Sequence, residues 1–443
     1  MKKVLYVRRW LVMVLVALIT ITTRAQQSGG ELMLSLEQAI EIALTDNPTI
    51  KVANQEIELK KVSQKEAWQN LLPTASLSGS MAYTVKAAVM SLSGKQFQMG
   101  EDGASTWNGA LNVNLPVFAP DVYRTMQMTK TDVELAIEKS RASRIDLVNQ
   151  VTKAYYQLLL AQDSYKVLEE SYAVSEKNYN VVKSKFEQGR VSEYDKISAE
   201  VQMRNIKPNV VAAQNGIRLA KLQLKVLMGI ADAALELKAT DNLKNYEKEV
   251  AAHQLGEGFS LEANSTLKQL DLSEQLLQQS LKRQQTAFMP SLALNFAYQY
   301  QSFYNKNFEI WHYDWFPGST LTLTLTVPLY KASNFTKVKS ARIQLSQLNE
   351  NRINTERQLN MQAQAYADNM MASAEQLTSN KESVVQAEKG REIAEKRYEV
   401  GRGTILELNS SEVALTQAQL TYNQAIYNYL VAKADLQSVM GRE

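Results

Sequence analysis

The chain has 443 residues, 49 Lys plus Arg against 46 Asp plus Glu, two histidines and no cysteine. Without a thiol there is no disulfide framework, no cysteine nucleophile and no cysteine for N-terminal lipidation, and His253 and His312 alone give a metal cluster or a Ser-His-Asp site little to build from. The near-neutral charge balance offers no footprint for nucleic acid.

The first 25 residues read as a secretory signal peptide, with a basic start, an apolar run from Trp10 to Ile21, and small residues at Thr23 and Ala25. The segment is too short and too N-terminal to favour a membrane anchor. It carries Lys2, Lys3, Arg8, Arg9 and Arg24 and no acid, so its removal leaves 44 basic against 46 acidic side chains, a formal charge of −2. Beyond it there is no run of 18 apolar residues, so a membrane location requires a β-barrel.

A first structural repeat is expected over 26–229. Helical periodicity covers Ser35 to Leu71, interrupted at Asn47-Pro48. Strands are expected over 74–90 and 107–118, because apolar Leu77, Met81, Tyr83, Leu111, Val113 and Leu115 alternate with Ser, Thr and Asn. A long helix over 121–188 follows, in a stretch where Gly189 alone interrupts Asp121 to Lys207 and no proline occurs. At 1.5 Å per residue it is about 100 Å long. Leu147, Val151, Ala154, Leu158, Ala161, Tyr165 and Leu168 recur at spacings of three and four, the seam of a coiled coil or bundle. A return helix over 192–228 is expected to kink at Pro208. Residues 230–260 lose periodicity and read as a mixed connecting segment, with His253 a solvated loop residue.

A second repeat, 261–443, runs through the same series: helix 261–287, strands 291–302 and 319–330, long helix 332–400 and return helix 404–440. Its strands set Leu294, Phe296, Leu321, Leu323 and Leu325 against Asn295, Thr320, Thr322 and Thr324. The duplication is visible in KSKFEQGRVSEYDKISAEV (183–201) and EKRYEVGRGTILELNSSEV (395–413), which align without a gap at an offset of 212. Met228-Gly229 matches Met440-Gly441 at that offset, whereas Asn47 matches Asn264 at 217, as if the first half held a loop five residues longer.

Period-2 alternation fits a half-exposed soluble sheet and equally a lipid-facing barrel. The uncharged polar faces, strands of about ten residues and the aromatic loop FYNKNFEIWHYDWFPGS favour the barrel. Tyr83, Trp107, Tyr298, Tyr300, Trp311, Tyr313, Trp315 and Phe316 form the expected aromatic belt at the lipid headgroups, with His312 a loop or interfacial residue. Four strands cannot close a barrel, so the chain must oligomerise; three copies give twelve strands, although the count also permits two or four.

At the helical turns, Gly189 and Gly401 stand where a left-handed C-cap is needed. Ser192 with Asp195 and Thr404 with Glu407 follow as capping-box patterns.

The opening LSLEQAIEIALTDNPTIKVANQEIE, the strand exits NLPVF and TVPLY, the paired tips QGRVSEYD and VGRGTILE and the two Met-Gly endings together resemble the TolC-like outer-membrane efflux proteins over the mature length. The resemblance implies a mainly α protein with a membrane β-barrel. It implies a homotrimer whose twelve-stranded barrel sits in outer-membrane lipid of a Gram-negative bacterium and is continued by a helical periplasmic tunnel. It implies a passive exit duct of a tripartite efflux or type I secretion system, with neither catalysis nor cofactor. Its partners are a periplasmic adaptor (membrane fusion) protein and an inner-membrane pump of RND, ABC or MFS type.

The same resemblance places the closed entrance at the tips, with Glu407, Tyr398, Asp195 and Arg402 as gate residues. Ser410 stands where the family has a second acid, and Gly403 where it has an arginine. Gly189, Arg190, Val191, Ser192, Gly401, Arg402, Gly403 and Thr404 are the expected adaptor-docking tips. The competing reading is a periplasmic coiled-coil adaptor or scaffold, which leaves the four strands without a role.

Overall fold

The chain divides into two units, one taking Met1–Val52, Arg141–Asn264 and Arg357–Glu443, the other Ala53–Ser140 and Ser265–Glu356. A computed structural model describes residues 31–92, 95–232, 234–247, 260–307 and 309–442. The signal peptide and His253 lie outside the described residues.

Strand β1 (Glu31–Leu34) is followed by helix α1 (Leu36–Asp46), which starts on a reciprocal cap: Ser35 Oγ accepts from Gln38 N at 3.3 Å and Gln38 Oε1 from Ser35 N at 3.1 Å. Asn47 is extended, as a residue before proline prefers, and α2 (Pro48–Gln69) begins on Pro48. Helices α3 (Pro120–Glu187) and α6 (Ala332–Glu399) have 68 residues each. They return as α4 (Glu193–Met228), uninterrupted through Pro208, and α7 (Ile405–Val439).

The predicted α3 seam forms the core of the first unit. Leu147, Val151, Ala154 and Leu158 are buried with Leu224 and Met228 of α4, Met370 and Leu377 of α6, Ile426 and Tyr429 of α7, and Ala39 and Ala43 of α1. The connecting segment is not structureless: β6 (Glu236–Ala239) pairs in parallel with β1, which the sequence pattern did not announce. Tyr155 Oη donates to Leu34 O at 3.1 Å and to Asp241 Oδ2 at 3.0 Å, Asp163 accepts from Leu243 N at 3.0 Å, and Glu247 accepts from Lys381 Nζ and Tyr422 Oη. The segment is thereby bonded to three helices.

The two halves close with the same fastening. Gly229 and Gly441 both have left-handed φ, 72° and 73°. Asn47 Nδ2 donates to Leu227 O and Asn264 Nδ2 to Val439 O, each at 2.7 Å. A Cβ on Gly229 would meet Asp46 O at 2.8 Å, and one on Gly441 would overlap Ala263 O. Glycine is therefore required at both positions by conformation and by space.

In the second unit, β2 (Thr74–Thr84), β5 (Ala104–Phe118), β7 (Ser291–Asn305) and β8 (Phe316–Thr326) form an antiparallel sheet in the order β2-β5-β7-β8, and α5 (Ser265–Thr286) precedes β7. The expected first strand is shorter than 74–90. Gly103 N donates to Thr84 O at 2.8 Å and closes the β2–β5 hairpin, and Asp102 Oδ1 accepts from Ala87 N at 2.6 Å. Residues beyond that turn build a small hairpin of β3 (Ala88–Leu92) and β4 (Lys95–Met99). Alternation through Val85, Ala87 and Val89 concealed the turn. Strand β8 begins at Phe316, opposite Gln301, and ends at Thr326, two residues before Pro328.

Candidate functional site

Helix α3 ends at Glu187 and α6 at Glu399, and each chain reversal uses one left-handed glycine, Gly189 (φ 70°) and Gly401 (φ 75°). Arg190 N donates to Lys185 O at 2.9 Å and Arg402 N to Arg397 O at 2.8 Å, the long bond of a Schellman cap in both copies. Val182 of α3, Ala199 of α4 and Ile405 and Leu408 of α7 are buried together, with Tyr179, Val191, Ala394 and Tyr398 packed around them. Both hairpins are therefore held side by side at their tips. Gly189, Arg190, Ser192, Gly401, Arg402 and Thr404 are exposed, whereas Val191 and Gly403 are half-buried.

The polar residues of the two tips behave differently. Asp195 Oδ2 accepts from Ser192 N at 3.1 Å and Ser192 Oγ at 2.7 Å, while Ser192 Oγ accepts from Asp195 N at 3.2 Å. This closes a full capping box and occupies the carboxylate. At the second tip Thr404 Oγ1 accepts from Glu407 N at 3.2 Å, but the Glu407 carboxylate turns instead to Arg397, with Oε2 3.5 Å from Nη1.

Tyr398 Oη is buried and has no hydrogen-bond partner among the described residues, while the Asp195 carboxylate is engaged at its own helix start. Burial, and after it the negative charge of Asp195, pushes the Tyr398 hydroxyl above its ordinary pKa. Its ring instead receives Lys185 Nζ, 4.9 Å from the centroid, a cation–π contact between the hairpins. The guanidinium beside Glu407 is that of Arg397, whose Nη2 also donates to Arg402 O at 3.3 Å. The sequence reading missed Arg397 because it and Glu407 lie on opposite sides of a turn, where helical periodicity relates no pair.

Further up the second hairpin, Arg391 joins Glu412 (2.8 Å) and Glu395 (3.0 Å). Burial raises the Glu412 pKa, and the Arg391 guanidinium opposes that shift. Thr416 Oγ1 donates to Ser171 Oγ at 2.9 Å, linking α7 to α3. Between α4 and α7 runs an open groove lined by Tyr194, Ile197, Val201, Leu406 and Val413, with Ser410 in its wall.

On the sheet, the expected belt residues fall toward one end. Tyr83 faces Ser105, Trp107 faces Ser302, Tyr300 faces Gly109, Tyr298 faces Leu111 and Phe316 faces Gln301. Trp107 and Tyr313 stack at 6.4 Å, and Tyr313 and Trp315 at 6.5 Å. Trp311 is 95% exposed; Tyr313 is instead buried at 9% and donates to Asn307 O, serving the loop rather than the surface. Leu77, Leu321, Leu323 and Leu325 are 63–84% exposed on the strands. No helix among the described residues is long and apolar enough to cross a membrane.

A family model described as outer membrane efflux protein matches residues 39–230 and 260–442. Outer membrane protein TolC of Vibrio cholerae is 21% identical over 335 residues, covering 75% of this chain and 76% of its own. TolC of Escherichia coli K12 is 21% identical over 417 residues, covering 92% and 82%. The fold is also that of the Campylobacter jejuni CmeC outer membrane channel, at TM-score 0.73 and 17% identity over 92% of this chain and 85% of that one.

Proposed function

The chain belongs to the outer membrane efflux protein family and is an outer-membrane exit duct, and from that premise we propose that three copies close into a twelve-stranded barrel above a helical periplasmic tunnel gated at the hairpin tips. The observation that carries this reading is the sheet, whose outer strands β2 and β8 each have one side unpaired among the described residues. Leu77, Leu111, Leu321, Leu323 and Leu325 on it are exposed, and burying each is worth roughly 1.5–3 kcal/mol. Lipid on that face and a neighbouring copy on each edge satisfy both demands.

The helices make the same demand. Tyr194, Val201, Leu219 and Val226 are exposed along α4, on the face opposite buried Ala199, Ile206 and Leu224. Met361, Met371, Val385 and Ile393 form a second exposed stripe along α6. Spaced near whole helical turns, each stripe is a seam fit for a neighbouring helix, and a closed ring of copies covers both.

In this reading the exposed turns at Gly189–Ser192 and Gly401–Thr404 meet a periplasmic adaptor, which couples the duct to an inner-membrane pump. Substrate passes outward without chemistry in the duct. A periplasmic scaffold, by contrast, leaves the leucine face in water.

The test is fractionation followed by detergent extraction and native mass measurement. The protein is expected in the outer membrane as a three-copy assembly, and a monomer soluble in the periplasm overturns the reading.

A further inference from the structure

Resting on the reading of the tips as the periplasmic entrance, we propose that Arg397 is a specificity-determining residue of the duct: paired with Glu407 on the same hairpin, it offsets that carboxylate.

The guanidinium is held from two sides of the turn, by Glu407 Oε2 at 3.5 Å and Arg402 O at 3.3 Å. Gly403 makes this position available. A Cβ there would lie 3.1 Å from Arg397 Cβ and 3.1 Å from Tyr398 N, crowding the base of the arginine side chain. A larger residue at 403 and an arginine folded over the turn are thus in competition. Ser410, one turn beyond Glu407, adds no charge, so one guanidinium offsets the carboxylate at this point of α7.

The first hairpin has no such pair. The residue equivalent to Arg397 is Lys185, whose ammonium lies over the Tyr398 ring, and Asp195 is engaged by Ser192.

Because Arg397 ends α6 and Glu407 starts α7, both partners belong to one hairpin. A rigid displacement of that hairpin carries the pair with it. The offset of Glu407 therefore persists whether the entrance is closed or open, whereas an unpaired ring of carboxylates would select cations.

The test is the reversal potential of single channels formed by the full-length protein in a planar bilayer under a KCl gradient. Arg397→Gln is expected to raise the permeability ratio of K+ over Cl− several-fold and to introduce block by hexaamminecobalt(III) added on the periplasmic side. The double variant Arg397→Gln/Glu407→Gln returns both readings toward wild type, and Arg397→Lys keeps them there. A merely structural role for Arg397 changes channel yield without moving the reversal potential. Channels of Arg397→Gln with wild-type selectivity and no added block overturn the inference while leaving the duct standing. Failure of the wild-type protein to conduct at all overturns the duct reading itself.

Discussion

The two hairpin tips are built on one frame and carry different chemistry. Gly189 and Gly401 share their left-handed geometry, and each is followed by the same Schellman bond and a hydroxyl N-cap. In the first tip the carboxylate closes back on the cap that precedes it; in the second it crosses the turn to a guanidinium. Duplication has preserved what fixes the backbone and released what meets the solvent.

A second pair repeats the lesson one level up. Glu200 and Glu412 occupy equivalent positions of the repeat. Glu200 pairs with Arg204 on its own helix at 2.8 Å, with 29% of its side chain exposed, whereas Glu412 is 6% exposed and pairs across to Arg391.

The comparison is broken most severely where the halves agree. Gly229→Ala and Gly441→Ala each force a side chain into a left-handed backbone, which alone costs about 1–3 kcal/mol, and into contact with Asp46 O or Ala263 O. Both variants are expected to lower the unfolding midpoint, Gly441→Ala further because its Cβ is the more deeply overlapped. Thermal unfolding of the purified protein checks the order, and equal, negligible shifts contradict it.

A smaller effect separates Glu412 from Glu200. Burial holds the Glu412 carboxyl above its ordinary 4.5, with Arg391 partly opposing. An acid whose folded pKa is raised contributes stability that is present below its unfolded pKa and lost as pH rises through the folded one. Between 4.5 and that raised value, wild-type stability is expected to fall with rising pH relative to Glu412→Gln. Glu200→Gln serves as the control. Unfolding midpoints across this range decide it, and parallel curves for wild type and Glu412→Gln count against the burial argument.

Most of the fold was legible because its signals are local. Proline-free stretches marked α3 and α6, alternation marked β2, β5, β7 and β8, and the spacing of Leu147, Val151, Ala154 and Leu158 marked the core face. What stayed hidden depends on meetings between distant residues. Asn47 and Asn264 could be recognised as repeated, but not as donors to Leu227 O and Val439 O, because no periodicity connects positions about 180 residues apart. The β1–β6 pair and the bonds of Asp241 and Glu247 were hidden for the same reason. At the tips, the glycines and hydroxyl caps could be read from residue type, since few residues serve those geometries. Which carboxylate stays at its cap depends on the residue it meets across the turn, so the Arg397–Glu407 pair was missed.

The two tips share a frame, while the second alone sets a carboxylate against a guanidinium across the turn. The most direct measurement is the single-channel reversal potential of Asp195→Asn beside that of Glu407→Gln in one KCl gradient. Glu407→Gln leaves Arg397 without its partner and is expected to move the potential toward anion selectivity. Asp195→Asn disturbs a capping box worth about 0.5–2 kcal/mol and is expected to lower stability with little change in selectivity. An unchanged potential for Glu407→Gln, or an equal displacement for both, would contradict the claim.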